Sequence, residues 1–565
     1  MSSSEDNDNA TNPNGNTEDV RSLTSDDGPI NKLQRTRTME SAADFFFSSV
    51  PDADKVDLKK PYFYNLKKDV VMPSSPGNIE NYQIDWLGPD DPEMPINWSW
   101  GRKHKALSMC AIGAMVTVFG SAIIAPAAEV IEEVFHVGLP VSILNVSLYV
   151  LGFAIGPVIW GPSSEFLGRR LPQVVGCLGL TLFSFACATA KDFQTLVLCR
   201  FFSGLFGASP LAVGPAVMAD IFSTEDRGNA ISLICLMIIA GPMLAPVVGG
   251  YITFSYLGWR WTEYILGIFS SLVLFLLTFF LEETYPPRLL AYRAQKIRRE
   301  TGNWVISAPI EDMELEISTI VEKTLLKPLR MLVVEPILLL LSLYHGLIYG
   351  ILYLCLECIP IIFGNYGWHG GNIFLPYLAM LVGTILIIIT NVFVFEKIFL
   401  KRLAASPFPV LPEERLPLMM LSGICFPIGI FLLCWSGAYK VMWFVPCVGC
   451  AFFGFGLIGI FMSVFNYIID TYLLNAASGI AANTFLRSGF GCAFPLFAHP
   501  MFINLGTQWA GTLLGCLAAI LAPVPFLFYI YGRKLRQKSK FAFAIDAQAP
   551  PSAAAAKEEG EEQDA

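Results

Sequence analysis

Charge is scarce in this chain: only 15% of its 565 residues are Asp, Glu, Lys or Arg, against about 25% in an ordinary soluble domain. With 54% hydrophobic residues and a mean hydropathy of +0.53, most of the chain has no polar face to offer water. A water-soluble enzyme is excluded on that ground, and a membrane protein is expected. No G-x-x-x-x-G-K-S/T segment occurs, so no P-loop ATPase powers the chain by itself. No basic, apolar, small-residue leader opens at Met1, and no cleaved signal peptide is expected. The 13 cysteines, Cys110 to Cys516, all stand in apolar segments, where thiols behave as small hydrophobes. The C-x-x-C pairs Cys355/Cys358 and Cys447/Cys450 lack a second pair at zinc-ribbon spacing. With five histidines and no clustered nucleophile and base, neither a metal, nor a cofactor, nor an enzyme is expected.

A basic surface for nucleic acid is missing too. The net charge is −9, and the ends supply it: residues 1–60 carry twelve acids against seven bases, and residues 541–565 six against one. The core between them is near neutral, so no nucleic-acid partner is expected.

What is present is a succession of apolar runs of about 20 residues, each long enough to cross about 30 Å of hydrocarbon. They fall near 106–127, 142–161, 171–190, 195–216, 228–251, 260–281, 334–358, 373–395, 417–437, 441–467, 478–502 and 508–531. The expected fold is an all-α membrane protein of twelve helices in two six-helix bundles. The organisation is a disordered tail over 1–103, a bundle over 104–281, a central loop over 282–333, a second bundle over 334–531 and a tail over 532–565. Basic residues collect on one side: Arg169 and Arg170, Arg227, eight in 282–333, Lys397, Lys401, Arg402 and Arg533–Lys540. Lys191 and Lys440 are exceptions. Both tails and the central loop are therefore expected in the cytoplasm. Shifting the second half by 250 residues aligns Gly204 with Gly454, Asp220 with Asp470 and Gly241 with Gly491, a pattern of duplication.

Three motifs carry chemistry. The first basic loop, Gly161-Pro-Ser-Ser-Glu165-Phe-Leu-Gly168-Arg169-Arg170, sets a carboxylate and two arginines between glycines that permit a tight turn. Such a group can latch one conformation of a moving bundle. The fourth span holds Arg200 inside an apolar helix, where an arginine is costly and should face a cavity or a partner. The fifth reads Ala240-Gly241-Pro242-Met-Leu-Ala245-Pro246-Val-Val-Gly249-Gly250. Its prolines bend the helix and its glycines admit a close neighbour.

The loop resembles the G-x-x-x-D-x-x-G-R-R/K motif of the major facilitator superfamily, with Glu165 in place of Asp. The fourth span is similar to the segment whose arginine is tied to proton coupling, with Ser203 where a Gln is usual. The fifth is similar to the antiporter motif G-P-x-x-G-P-x-x-G-G, with Ala245 for one glycine. Ser147 to Pro157, Gly258-Trp-Arg-Trp261, Glu282-Glu-Thr-Tyr-Pro286 and Ala481-Ala-Asn-Thr-Phe-Leu-Arg487 narrow the resemblance further. It points to the fungal drug:proton antiporter family with twelve spans, which includes polyamine, azole and cycloheximide exporters, over about residues 90–540.

The resemblance implies a proton-coupled carrier exporting amphiphilic or cationic small molecules by alternating access. An uptake carrier of the same fold is the first alternative, a non-transporting sensor the second. Glu357, Arg200 and Asp470 are the expected proton-coupling residues. Burial of Glu357 among Leu, Cys and Ile disfavours its charged form, which suits alternating protonation. Asn145, Glu263 and Asn466 are cavity candidates; Glu129 and Glu396, at span ends, read as solvated. Arg487 reads equally as a counter-ion for Asp470 or as structural. Small-residue pairs such as Gly152/Gly156 read as packing inside a bundle, so a monomer in lipid is expected. The plasma membrane is the expected location, with the vacuole or endoplasmic reticulum as alternatives.

Overall fold

A computed structural model describes residues 83–301, 304, 306–311, 326–405, 411–472, 475–537, 539 and 541. The disordered tail expected over 1–103 lies outside the described residues up to position 82, as does the acidic stretch from 542. Two units form. In the larger, the first half contributes α1 (Trp100–Ala122), α2 (Leu144–Leu167), α3 (Arg170–Thr189), α4 (Phe193–Ile221), α5 (Thr224–Thr253) and α6 (Arg260–Phe280). The second contributes α7 (Pro336–Asn365), α8 (Tyr377–Thr390, prolonged through a π-turn at Asn391–Phe395 into Glu396–Ala405), α9 (Pro417–Ala438) and α10 (Phe444–Tyr472). Next comes α11 (Ala476–Ala493), which runs on through helical Phe494 to residue 505. Last is α12, residues 507–521 together with Val524–Gln537.

Eleven stretches of the described residues are long and apolar enough to cross a membrane, the last of them Pro495–Gln537. That stretch breaks at Gly506 (φ 79°, ψ 155°), which assigns its first part to α11 and makes twelve crossing helices. Helix is what an apolar solvent demands, because every backbone N–H and C=O must find its partner within the segment. Several helices overrun the expected spans: α7 continues to Asn365 and α10 to Tyr472. The outer faces carry bare hydrophobic side chains such as Leu182, Phe279 and Ile520, each at least 60% exposed. In water such a surface would aggregate; in a bilayer it is solvated.

The two halves repeat one another in detail. On α4, a Cβ at Gly204 would strike the Tyr149 carbonyl of α2; on α10, a Cβ at Gly454 would strike the Met380 carbonyl of α8. The same close crossing therefore occurs between the second and fourth helices of each half, at positions 250 residues apart. Between halves, α2 packs along α11 and α5 along α8.

The smaller unit joins residues 83–94 to the helix Pro286–Thr301 and residues 304 and 306–311. Residues 83–94, expected as tail, and the helix Pro286–Thr301, expected as loop, thus pack together. Ile84, Leu290, Ala294, Ile297 and Ile306 form its core, and Ile84 N–H donates to the Ser307 carbonyl at 2.9 Å. Two of its arginines are paired: Arg298 grips Glu311 at 2.6 and 2.7 Å, and Arg293 meets Asp91 at 2.8 Å.

Candidate functional site

Three polar constellations stand in the larger unit. The deepest surrounds Arg200 of α4, which has no exposed surface. Its Nη1 donates to Glu263 Oε1 of α6 at 3.1 Å and to the Gly120 carbonyl at 2.9 Å. Nε donates to the Asn145 carbonyl at 3.0 Å and Nη2 to that of Ser121 at 3.3 Å. The Tyr149 ring lies 4.3 Å from the guanidinium carbon. The cost of an arginine in the bundle is thus met by an ion pair, three carbonyls and a π-face. Glu263, expected as a cavity residue, is instead the fully buried counter-ion of Arg200. Asn145 contributes its carbonyl, while its side-chain amide donates to Ser142.

The second constellation surrounds Glu357. It lines a small cavity between the halves, with Ala122, Val146 and Pro246 on one side and Tyr353, Phe374 and Tyr377 on the other. The second proline of the antiporter-like helix and the favoured carboxylate therefore share one cavity. Glu357 makes no hydrogen bond or ion pair among the described residues. Neighbouring polar groups are engaged elsewhere: Tyr377 donates its hydroxyl to the Leu356 carbonyl. Tyr353 shares hydrogen bonds with Ser121 of α1 at 3.3 Å and Tyr349 at 3.4 Å. Since Ser121 also holds Arg200 through its carbonyl, a polar chain runs from the Arg200–Glu263 pair to α7.

The third lies on the basic face, once in each half. Arg169 pairs with Asp220 at the end of α4 (2.8 Å) and donates to Ser164 Oγ (2.7 Å), with the Tyr285 ring 4.5 Å away. Burial opposes the charge of Arg169, yet Asp220, with smaller help from Tyr285 and Glu165, holds the guanidinium pKa above its ordinary value. Glu283 caps the start of α3, accepting from the N–H groups of Arg169 (2.7 Å) and Arg170 (3.1 Å), where exposed amides and the helix dipole favour an anion. Gly168 (φ 86°) makes room: a Cβ there would collide with the Glu283 carboxylate. Arg170 reaches the Thr278 carbonyl at 2.6 Å. Glu165, expected as the carboxylate of this latch, makes no ion pair among the described residues; Arg169 pairs with Asp220, and Glu283 accepts from the backbone at the start of α3. Asp220 was visible in the sequence only through its alignment with Asp470.

In the second half Arg415 pairs with Glu396 at 2.9 Å and with Asp470 at 3.2 Å. Glu396 is therefore a buried partner, 4% exposed, and not the solvated end residue expected. Arg227 of α5 approaches Asp470 from the first half at 3.9 Å. Asp470 is thus placed apart from Glu357, among arginines. Asn466 lines a crevice beside Glu396 and Arg415, away from the Glu357 cavity. Arg487 does not meet Asp470 and lies among the rings of Tyr349, Phe461 and Phe465.

The glycines of the antiporter-like segment are packing devices. Gly241 lies against the backbone of Phe119 and Val118, and a Cβ at Gly249 would strike the Ile123 carbonyl of α1. Gly250 faces the ring of Phe374, in the short turn Gly370–Phe374 ahead of α8, while Pro242 and Pro246 stand inside α5. Gly161 comes near Ala481 of α11. Backbone cannot yield as a side chain can, and overpacking costs about 1–3 kcal/mol even where neighbours give way. Gly249→Val is expected to remove most of the monodisperse protein seen by size-exclusion chromatography. Gly214→Ala, whose new Cβ would meet only Ile234 Cδ1 at 3.9 Å, should leave the profile unchanged. Equal yields of the two variants would sink this account of α5 packing.

Comparison with known proteins agrees with this architecture. The family model described as Major Facilitator Superfamily matches residues 110–495. The multidrug transporter FLU1 of Candida albicans is 50% identical over 474 residues, covering 83% of this chain and 78% of that protein. The multidrug transporter TPO1_2 of Candida glabrata is 46% identical over 469 residues, covering 82% and 80%. Among solved structures, the xylose transporter XylE from E. coli superposes with a TM-score of 0.53 at 16% identity, over 76% of this chain and 99% of that one. At that identity the likeness concerns the fold alone.

Proposed function

The chain belongs to the major facilitator superfamily, and on that premise we propose that it exports amphiphilic or cationic small molecules from the cytoplasm in exchange for protons. The observation that carries this reading is the solitary carboxylate of Glu357 in the cavity between the halves. An ionised carboxylate without a counter-ion is costly in such a place. A proton relieves that cost, and so does a cation, but the two compete for the same oxygens. Exchange follows: the proton arriving from outside displaces the cationic cargo, and the next cargo displaces the proton. Aromatic faces at Tyr353, Phe374 and Tyr377 suit an amphiphilic cation.

Export requires that the two access states bind cargo and proton differently, since a ligand indifferent to them shifts nothing. In this reading Arg200 with Glu263 sets the electrostatics of the first half and reports through Ser121 to Tyr353, one helical turn from Glu357. Arg227 of the first half, reaching Asp470 of the second, holds the basic face closed, while the Arg169–Asp220 and Arg415–Asp470 pairs brace each half internally. The names of FLU1 and TPO1_2 as multidrug transporters support export of chemically varied cargo. The lysine and arginine distribution supports a cytoplasmic basic face, and a monomer in the plasma membrane is the simplest setting.

Vesicles reconstituted with the protein test the reading. They are loaded with a panel of cationic dyes and polyamines, and a pH gradient is then imposed. Flux of at least one compound should rise with the gradient and collapse when a proton–potassium ionophore dissipates it. Absence of gradient-dependent flux for every compound would overturn antiport; accumulation in the same direction as the protons would replace it with uptake.

A further inference from the structure

One buried charge has no place in the exchange just described. Arg487 of α11 is 1% exposed, and its Nε and Nη1 have no hydrogen-bond partner among the described residues. What surrounds the guanidinium is aromatic: the rings of Tyr349 and Phe461 at 4.6 Å each and Phe465 at 5.9 Å. The contrast with Arg200, which has the same burial but a carboxylate and three carbonyls, is direct. Three π-faces stabilise a cation, but they do not satisfy N–H donors, and a desolvated guanidinium still lacks its counter-charge. A second unpartnered atom belongs to the same cluster. His345 engages Asn483 through Nδ1 at 2.9 Å and packs on Phe461 at 4.5 Å, and its Nε2 is without a partner among the described residues.

The cluster lies on the seam between the halves. Gly491, one turn beyond Arg487, is where a Cβ would meet the Tyr349 ring at 2.9 Å and Val150 of α2 at 3.3 Å. Parting α2 from α11 would therefore uncover the Tyr349–Arg487 contact. Along α7, Tyr349 and Glu357 share one face at a separation of about 12 Å. The path between the halves thus presents an acidic station at Glu357 and a basic one at Arg487.

We propose that Arg487 is an anion-binding station of the transport path, which takes the carboxylate of an amphiphilic organic acid between the Tyr349 and Phe461 rings when the halves part. The planar guanidinium offers paired donors matched to the two oxygens of a carboxylate, and the rings accept the apolar body of the same molecule. The cargo then includes aromatic weak acids and zwitterions as well as cations. This rests on reading the chain as a carrier, but it does not depend on proton coupling.

Binding to the full chain in lipid nanodiscs tests it with a matched pair, 2-naphthoate and its neutral isostere 2-naphthamide, followed by calorimetry. The wild-type protein should bind the carboxylate about tenfold more tightly than the amide, the scale of a charge-assisted hydrogen bond. Arg487→Gln should bring the ratio to about one, and Arg487→Lys should keep part of the preference. Monodisperse elution of each variant establishes that it is folded. If the Gln variant does not fold, the wild-type ratio and the Lys variant decide. Equal wild-type affinities for the two probes, or an undiminished preference in Arg487→Gln, would overturn the proposal. Failure of gradient-driven cation flux would sink antiport and leave this binding ratio untouched.

Discussion

Glu357→Gln is expected to reduce gradient-driven flux to the level of protein-free vesicles while leaving the protein folded in the membrane. The side chain makes no hydrogen bond or ion pair among the described residues, so the neutral isostere removes no stabilising contact. It fills the same space against Pro246 and Tyr353, and the cavity keeps its shape. What disappears is the capacity to be charged in one state and neutral in another. Cargo loses the carboxylate it pairs with but keeps the aromatic walls of the cavity, so exchange of labelled for unlabelled compound at equal, high concentrations should survive with weakened affinity, while uphill movement should fail. Reconstitution with and without a pH gradient, alongside counterflow, separates the two. Normal uphill flux in the variant would remove Glu357 from the mechanism. Loss of counterflow as well would assign it to cargo binding alone.

The second large effect concerns stability. Arg200→Met leaves the Glu263 carboxylate fully buried with no counter-ion, since its only ion-pair partner among the described residues is Arg200. It also strips the donors from the carbonyls of Asn145, Gly120 and Ser121. Breaking a buried pair from one side costs about 3–5 kcal/mol, a large share of the margin of most folded proteins. A marked fall in unfolding temperature in detergent is the expected result. Replacing both partners, Arg200→Met with Glu263→Met, removes the stranded charge and should recover much of the loss. If the single variant melts with the wild type, the ion pair is not what holds α4 to α6. If the double variant melts no higher than the single one, the carbonyl contacts matter more than the carboxylate.

How much of this was legible in the sequence depends on how local each signal is. Apolar runs declare themselves, because a helix in lipid satisfies its own backbone, and twelve could be counted along the chain. Arg200 was legible for the same reason in reverse: a guanidinium in an apolar run demands explanation. Its partner was not, because Glu263 stands 63 residues away at the start of another helix, where a carboxylate looks like an ordinary helix-end residue. Glu396 misled for a related reason. At the end of an apolar run it reads as solvated, and only the fold returns Arg415 from a short 3-10 turn, Pro412–Arg415, to bury it. Glu165 shows the reverse: adjacency in sequence pointed to it as the partner of Arg169, whereas the ion pair is made by Asp220, 51 residues from Arg169. The helix Pro286–Thr301 was hidden by its charges, although Leu290, Ala294 and Ile297 recur at helical spacing and form part of a small core.

Asp470 is held at once by Arg415 of its own half and by Arg227 of the other. That sharing makes separation of the halves asymmetric. When α5 draws away from α10, Asp470 keeps its closer arginine and is never left without a counter-charge. Arg227 leaves alone, towards the basic face, where water can receive it. A separation of this kind would strand no carboxylate, and the work of opening would fall on a group that water rehydrates as it departs. A clasp built this way can be firm at rest and still release without a high barrier.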